Sequence, residues 1–240
     1  MPFTFAHPAI LLPFRKYLSI TGLIIGCMSP DFEYFLRFKI YSAFSHTFLG
    51  IFLFCVPISI LVSILFHQII RNPLIDNLPN YFYVRTIKFK KFNWLIYLQE
   101  NKTKVIISIL LGAFSHIFWD SFTHDDGFFV NEFKILKSVF YIDQYKIPIL
   151  KILQHLSTIA GFIYIIYIFN QLPKSNQLNN NINLKYYLSI IILSICLIIG
   201  VSKIDSNSLK IGNLIVVSIS SIFITILITS IAYKTKKQPL

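Results

Sequence analysis

Five long apolar runs constrain this chain more than any other feature of its sequence. Each run has about the length that a helix needs to cross a hydrocarbon core of roughly 30 Å, which is about 20 residues. The runs are Thr47–Phe66, Val105–Phe122, Ile152–Phe169, Tyr186–Ser202 and Ile211–Tyr233. A backbone in lipid must satisfy its own hydrogen bonds, so runs of this kind form helices. The sequence therefore predicts an all-α, polytopic membrane helical bundle with about five spans.

Charged residues are scarce in this chain. They make up 13% of its 240 residues, and hydrophobic residues make up 55%, whereas a soluble domain carries roughly 25% charged residues. This balance argues against a water-soluble globular enzyme, and it excludes a disordered chain because disorder requires low hydrophobicity. The net charge of +12 could indicate nucleic acid or an anionic membrane surface as partner. The basic residues are concentrated in loops between the apolar runs, so we expect a lipid bilayer and no nucleic acid as partner.

The N-terminal region is apolar but does not contain a full span. The run Leu18–Met28 is too short to cross a bilayer, and Arg15 helps to separate it from the apolar residues before it. We interpret Pro8–Met28 as an interfacial or re-entrant helical segment that packs on the bundle. The alternative is a lipoprotein signal, in which a basic pair precedes an apolar stretch that ends at a lipidated Cys27. Processing of that kind would remove His7.

The expected organisation of the chain has three parts. Residues 1–169 form a membrane-associated helical domain, residues 170–185 form a polar linker, and residues 186–240 form a two-helix membrane hairpin with a basic tail. With the tail in the cytoplasm, five spans place the basic segment Arg71–Lys104 on the same side. The opposite, extracytoplasmic face then holds His46, His116 and Asp120. These three residues share one face in either orientation.

Histidine and aspartate side chains gather at that face. His46 begins the first span, and His116 and Asp120 end the second. His116, Asp120 and His124 follow one another at intervals of four residues, so they would stack on one helix face if the helix continued to His124. Ionisable groups in or near a bilayer are costly and are functional-site candidates by default. The alternative is a buried His–Asp hydrogen bond that only fixes helix packing.

Two N-terminal residues extend this set. His7 lies in the apolar N-terminus, and Asp31 follows a proline, where the alternative role is to cap a helix. Imidazole and carboxylate groups are ligands of zinc, which we expect here, and also of manganese or iron. The predicted metal ligands are His7, Asp31, His46, His116, Asp120 and His124. A free carboxylate of Asp125 or Asp126 is the predicted general base.

These motifs resemble a family of bacterial integral membrane proteins known as domain of unknown function family 4184. The resemblance covers roughly residues 1–165. It rests on Met1-Pro2-Phe3-Thr4-Phe5-Ala6-His7-Pro8-Ala9, Ser29-Pro30-Asp31-Phe32-Glu33-Tyr34, Ser45-His46-Thr47, and Ser115-His116 through Gly127. It implies a multi-pass protein of a bacterial inner membrane, and it implies no activity.

The order of the motifs is also similar to that of the predicted membrane-bound metal-dependent hydrolases. That family has an early His, then Pro-Asp, then Thr-His or Ser-His, then Gly-x-x-x-His-x-x-x-Asp. The corresponding residues here are His7, Pro30-Asp31, Ser45-His46, Gly112, His116 and Asp120. This resemblance implies a metal-dependent hydrolase, and a site at the bilayer interface suits a lipid or lipid-linked phosphoester as substrate. The alternative is a non-enzymatic membrane protein with a structural metal site or a transport-related His/Asp cluster.

A more distant similarity is to the zinc-dependent phospholipase C and nuclease fold. In that fold an Asp, a His and a His-x-x-x-Asp motif surround clustered zinc ions, and Asp31, His46, His116 and Asp120 follow this order. The later His-x-x-x-Glu motif of that fold is missing, because Ile159 stands four residues after His155. The similarity therefore implies one or two bound metal ions at most, and not three.

Overall fold

Long helices dominate the structure, a computed structural model that describes residues 3–143, 145–179 and 182–237. In chain order the α-helices are α1 Ile20–Met28, α2 Phe32–Arg37, α3 Phe48–Asn77, α4 Asn80–Thr86, α5 Trp94–Glu100, α6 Lys102–Asp120, α7 Phe128–Glu132, α8 Ile149–Asn170, α9 Leu184–Ile204 and α10 Ile211–Lys237. Five of them, namely α3, α6, α8, α9 and α10, are long and apolar enough to cross a membrane. They coincide with the five apolar runs of the sequence. The predicted all-α polytopic membrane architecture is thereby confirmed.

Short elements connect these helices. The 3-10 helices are Thr4–Ile10, Leu12–Phe14, Ser29–Asp31, Ile87–Lys91, Lys134–Lys137 and Ser206–Leu209. Within the described residues, the only sheet is an antiparallel pair, β1 Val139–Ile142 and β2 Tyr145–Pro148, in which Val139 lies opposite Pro148. Strand β2 leads directly into α8.

Helix α3 runs past the predicted end of its span at Phe66 and continues to Asn77. It contains two π-helical turns, Ile51–Cys55 and Phe66–Ile70. The helix accommodates Arg71 because the guanidinium donates to two backbone carbonyls, that of Phe92 at 2.7 Å and that of Lys90 at 3.2 Å. Because its hydrogen bonds are made, Arg71 does not end the helix. The sequence prediction placed the end at Phe66 because it followed the apolar residues alone.

The N-terminal helix α1 packs directly against the backbone of α6. A Cβ atom on Gly26 would lie 2.5 Å from the carbonyl oxygen of Ile109, and one on Gly112 would lie 2.6 Å from the amide nitrogen of Cys27. Small residues at a helix interface permit such a close approach. The nine residues of α1 extend only about 14 Å at 1.5 Å per residue, too short to cross a hydrocarbon core of roughly 30 Å.

The same packing buries Cys27, the residue of the lipoprotein alternative. Its side chain is 0% exposed, and its sulfur lies 3.5 Å from the Ser115 hydroxyl. Burial raises the pKa of the Cys27 thiol to about 12. In this fold the thiol faces α6 and is closed to an acyl donor.

The described chain packs as two compact units, and each is assembled from separate stretches of sequence. The first comprises the chain up to Asp31, Phe44–Ile60 and Asn101–Gln171. The second comprises Phe32–Ala43, Leu61–Glu100 and the chain from Leu172 onward. Every side chain of the candidate site described below belongs to the first unit.

The second unit is held together largely by hydroxyl groups between α9 and α10. The Ser194 and Thr225 hydroxyls lie 2.8 Å apart, and the Tyr186 and Ser230 hydroxyls lie 3.2 Å apart. Hydrogen bonds between helices are a common means of association in a membrane, where apolar packing gives no preference over lipid. This unit gives the chain its two C-terminal spans.

Candidate metal centre

Four separate segments of the first unit bring five side chains together. These side chains are called the His/Asp cluster and are His7, Asp31, His46, His116 and Asp120. The 3-10 helix Thr4–Ile10 carries His7, the 3-10 helix Ser29–Asp31 carries Asp31, the loop before α3 carries His46, and the end of α6 carries the other two. Asp31 and His116 are 0% exposed. The sequence prediction that these residues share one end of the spans agrees with this arrangement.

The cluster consists of two overlapping groups of three residues. One contains His7, His116 and Asp120, and the other contains Asp31, His46 and His116. Within each group the potential ligand atoms lie within 4.8 Å of one another. His116 belongs to both groups and is therefore the centre of the cluster.

Four contacts between ligand atoms in the cluster have similar lengths. Nε2 of His116 lies 3.3 Å from Oδ2 of Asp120 and 3.5 Å from Oδ1 of Asp31. Oδ1 of Asp31 is also 3.5 Å from Nε2 of His46, and Oδ1 of Asp120 is 3.5 Å from Nε2 of His7. Two atoms that each lie about 2.0–2.1 Å from a tetrahedral zinc ion are roughly 3.3–3.4 Å apart. The separations in the cluster fit such an ion, and they are long for direct hydrogen bonds.

Several of these buried atoms lack hydrogen-bond partners. Within the described part of the chain, no partner is found for Nε2 of His116, for Oδ1 of Asp31, for either carboxylate oxygen of Asp120 or for either ring nitrogen of His7. Buried polar atoms in folded proteins are nearly always paired, and exceptions require an explanation. A cation held between these atoms would satisfy them together.

Hydrogen bonds on the outer side of two histidines fix their tautomers. Nδ1 of His116 lies 2.7 Å from the carbonyl oxygen of Cys27. A carbonyl only accepts, so Nδ1 carries the proton and Nε2 presents its lone pair to the two aspartates. This second contact of a histidine is typical of metal ligands.

Ser45 orients His46 in the same way. The Ser45 hydroxyl donates to the carbonyl of Pro30 at 2.6 Å, and its oxygen lies 3.1 Å from Nδ1 of His46. Since the hydroxyl proton is already used, the oxygen accepts from Nδ1–H, and Nε2 presents its lone pair to Asp31. Both histidines therefore present unprotonated Nε2 atoms to the same carboxylate.

Thr4 holds Asp31 from the opposite side. The Thr4 hydroxyl donates to Oδ2 of Asp31, which leaves Oδ1 for the two histidines. Burial by itself raises the pKa of the Asp31 carboxyl. When no metal is bound, protons on Nε2 of His116 and His46 would take its place, and these two histidines outweigh burial and hold the pKa of Asp31 below its ordinary range. Asp31 is therefore an anion at neutral pH, as a metal ligand must be.

His7 completes the first group as a neutral imidazole. Its ring stacks on that of His116 with a centroid separation of 3.8 Å. Burial, followed by repulsion from His116, lowers the pKa of His7 to about 3. At neutral pH the His7 ring therefore carries a lone pair that can bind a metal.

His124 does not join the stack that its spacing suggests, so this part of the sequence prediction needs correction. Helix α6 ends at Asp120 and the chain turns, with Gly127 packed so closely that a Cβ would lie 2.4 Å from the Ser121 carbonyl oxygen. Nδ1 of His124 lies 3.1 Å from the Asp120 carbonyl and 3.6 Å from Oδ2 of Asp120. Its side chain is 31% exposed. His124 therefore stands at the edge of the cluster, in contact with one ligand.

The remaining sequence candidates lie outside both groups. Asp125 and Asp126 are exposed in the turn after His124. Of the two histidines that were not predicted as ligands, His155 is exposed on α8, and His67 lies in the second unit, stacked on Trp94 at 4.8 Å. Of the predicted ligand set, the structure thus brings five residues together and places His124 beside them.

Three orienting groups were not identified from the sequence. Ser45 and Thr4 lie in the motifs that contain His46 and His7. Their closeness in sequence to these histidines could have identified them as hydrogen-bonding groups of the site. The Cys27 carbonyl left no such signal, because any residue at that position would supply a backbone oxygen. Only the packing of α1 on α6 brings this oxygen to His116.

A family model matches nearly the whole chain. The model described as Domain of unknown function (DUF4184) matches residues 1–231. No curated protein and no solved structure gives a significant match. The matched range includes every residue of the His/Asp cluster and far more than half of the sequence. The chain therefore belongs to the DUF4184 family.

Proposed function

We propose that this protein is a metal-dependent hydrolase that acts on a lipid or lipid-linked phosphoester at the membrane interface. One observation carries the proposal, namely the convergence of buried ligand atoms from His7, Asp31, His116 and Asp120 for which the described residues supply no hydrogen-bond partner. Burying ionisable groups in or near a bilayer costs free energy, so a function is the default explanation for them. This set stands out in a chain with only 13% charged residues. The orientation of Nε2 of His116 by the Cys27 carbonyl supports the same reading.

His116 joins the two groups in one centre. Its Nε2 lone pair can bind a single ion, so a metal at His116 would take Asp31 and Asp120 as its carboxylate ligands. His46 lies beside Asp31 and His7 lies beside Asp120, and one of these two histidines would complete a four-coordinate set. Zinc suits this nitrogen and oxygen set, and manganese or iron are the alternatives. The ion would lower the pKa of a bound water towards about 7 and stabilise the developing oxyanion.

His124 is well placed to carry the proton that a hydrolytic step releases. Its Nδ1 faces the Asp120 carbonyl, so Nδ1 holds the proton and Nε2 is the basic nitrogen. Burial lowers the pKa of His124, which keeps the ring unprotonated at neutral pH. Because the side chain is partly exposed, it can pass a proton from the cluster to solvent. Asp125 and Asp126, the bases expected from the sequence, are the alternatives.

We infer a bacterial inner membrane as the location, with the cluster on the extracytoplasmic face. The inference rests on family membership and on the basic segment Arg71–Lys104, which follows the apolar run Thr47–Phe66 in the sequence, whereas His46 precedes that run. Basic loops remain in the cytoplasm. The His/Asp cluster would then meet lipids of the outer leaflet.

A structural metal site or a transport-related cluster is the second reading. The full burial of Asp31 and His116 favours a structural ion, because a catalytic metal needs an open position. Against a structural ion, the side chain of His46 is 23% exposed beside Asp31, and that of His124 is 31% exposed beside Asp120. A small substrate group could reach the metal past either of these partly exposed histidines.

Elemental analysis and hydrolysis assays on the same samples test the proposal. Wild type, His116→Ala and Asp31→Asn are purified beside His155→Ala and Asp205→Asn, which change a histidine and an aspartate outside the cluster. We expect about one divalent ion in the wild type and both controls, and a loss of metal and of phosphoester hydrolysis in both cluster variants. Metal without hydrolysis of any phosphoester or lipid ester would favour the structural reading, and unchanged metal in both cluster variants would remove the site.

A further inference from the structure

A pocket of about 290 Å³ lies directly beside the His/Asp cluster. One wall is the 3-10 helix Thr4–Ile10, with Ala6, His7 and Ala9 in the lining, and the other is α8, with Ala160 and Tyr164. Trp119, the residue before Asp120, closes one side. This space is called the His7 pocket, because His7 is the one cluster residue in its lining.

The lining of the His7 pocket is largely apolar, and the polar groups of Trp119 and Ser157 in it are hydrogen-bonded within the protein. The indole of Trp119 donates to the Ser157 hydroxyl at 3.3 Å, and that hydroxyl donates to the Gln154 carbonyl at 3.0 Å. The remaining lining consists mainly of Ala, Gly, Ile and aromatic side chains. The pocket therefore offers few polar contacts to an occupant, except at the His7 ring.

The outer rim of the pocket belongs to a membrane-spanning helix. Helix α8 is apolar and long enough to cross a bilayer, and its side chains Ile159 and Ile163, which are not part of the pocket lining, are 56% and 63% exposed. On a spanning helix such side chains face hydrocarbon. A lipid chain in the bilayer can thus reach the pocket sideways, without leaving an apolar environment.

We propose that the His7 pocket binds one linear hydrocarbon chain of a membrane lipid and places the head of that lipid at the His/Asp cluster. This proposal rests on the proposed function, and it names the part of the substrate that the protein recognises. The volume lies near the lower end of the roughly 300–1,000 Å³ of ligand pockets, so it suits part of one chain rather than two. His7 links the two sites, since it lines the pocket and its Nε2 lies 3.5 Å from Asp120.

The chain has a natural reporter for this binding. It contains two tryptophans, and Trp94 lies in the second unit, so Trp94→Phe leaves Trp119 of the pocket as the sole emitter. The protein is placed in phosphatidylcholine nanodiscs, and dibromostearic acid is added as a quencher at increasing mole fraction. We expect a saturable component of Trp119 quenching at a few mole per cent, above the linear background of bulk lipid.

Two matched substitutions locate the binding site. In the Trp94→Phe background, Ala160→Phe adds a ring inside the pocket, and Ile159→Phe adds one on the exposed face of the same helix. We expect Ala160→Phe to raise the midpoint of saturable quenching about tenfold, because the ring displaces on the order of two methylene groups. Ile159→Phe should leave the midpoint unchanged. Ala9→Phe fills the opposite wall and replaces Ala160→Phe if that variant does not fold.

The outcome separates the pocket from the proposed hydrolase activity. Asp31→Asn removes a cluster ligand that is not part of the lining, so saturable quenching in this variant shows that the pocket binds a chain whether or not metal or hydrolysis is present. Only linear quenching in the Trp94→Phe protein would overturn the pocket proposal. Equal midpoints in the Ala160→Phe and Ile159→Phe variants would overturn it as well.

Discussion

At the scale of single residues, the site depends on groups that aim the ligands as much as on the ligands. The Cys27 carbonyl, the Ser45 hydroxyl and the Thr4 hydroxyl each fix one cluster residue. Such outer contacts set the tautomer and the basicity of a metal ligand. A test of the cluster should therefore change an orienting group and leave every ligand in place.

Ser45→Ala provides that test. Without the hydroxyl, Nδ1 of His46 loses its acceptor, and the ring is free to rotate or to change tautomer. We expect metal affinity to fall by roughly 10- to 100-fold, the usual effect of losing such a contact. Competition with a chelator measures the change, and Ser202→Ala, which removes a hydroxyl bonded within α9, is the control. Equal affinities in the two variants would show that Ser45 does not position His46.

His124 should affect turnover without affecting metal content. It contacts Asp120 but belongs to neither group of potential ligands. We expect His124→Asn to retain the metal and to lose on the order of 10²-fold in hydrolysis rate, the scale of general base catalysis. Asp125→Asn should remain near the wild-type rate. A loss of metal in His124→Asn would instead make His124 a ligand.

Much of the cluster was predictable at this scale because charge is scarce. In a soluble protein, Asp31 and His116 would be two polar residues among many. Here they lie in or beside apolar runs, where an ionisable group costs free energy and is therefore a candidate for a functional role. The stack predicted for His124 depended on a helix that continues to that residue, whereas the helix ends at Asp120, and spacing alone does not show where a helix ends.

At the scale of elements, the packing of α1 on α6 positions the centre. This contact brings the Cys27 carbonyl to His116, and it requires the small residues Gly26 and Gly112. The sequence indicated that the N-terminal segment packs on the bundle. It did not indicate which helix it contacts, because an apolar segment without a periodic polar face fits several partners.

Gly112→Ala tests that contact. A Cβ at this position would meet the Cys27 amide nitrogen at 2.6 Å and the Gly26 carbonyl carbon at 2.7 Å, so α1 must move away from α6. We expect a loss of about 1–3 kcal/mol in the free energy of unfolding, typical of overpacking, together with weaker metal binding. Thermal unfolding in detergent and chelator competition measure the two effects.

Gly200→Ala is the matched control within a spanning helix. A Cβ on Gly200 would have no atom within 4 Å, and alanine is the better helix former by roughly 1 kcal/mol. We expect unchanged or slightly increased stability and unchanged metal affinity. Equal destabilisation by both substitutions would contradict the close contact between α1 and α6.

At the scale of the whole molecule, hydropathy predicted the five spans, and tertiary packing determined how the chain is divided. The sequence suggested continuous parts with boundaries at residues 169 and 185. That division stays a prediction. The compact units of the structure are each assembled from separate stretches of sequence, and the first leaves the chain at Asp31 and resumes at Phe44. Hydropathy reports which residues prefer lipid, but it contains no information on which apolar helices contact each other.

Metal binding should contribute to the stability of the whole protein. Asp31 and Asp120 are two buried carboxylates near each other, and a bound cation would offset their repulsion. A ligand at 1,000 times its Kd stabilises the folded state by roughly 4 kcal/mol. We therefore expect EDTA to lower the Tm of the wild type by several degrees. Asp31→Asn should show little response to EDTA, and an equal response in both proteins would contradict a site at Asp31.

X-ray absorption at the metal edge of the purified wild-type protein would show the ion and its ligands directly. We expect one tightly held divalent ion, zinc in the first instance, with nitrogen and oxygen neighbours at about 2.0–2.1 Å. We also expect the outer-shell scattering of at least two imidazole rings, from His116 and His46 or His7. A preparation without any bound transition metal, or a spectrum dominated by sulfur at about 2.3 Å, would contradict the His/Asp metal centre.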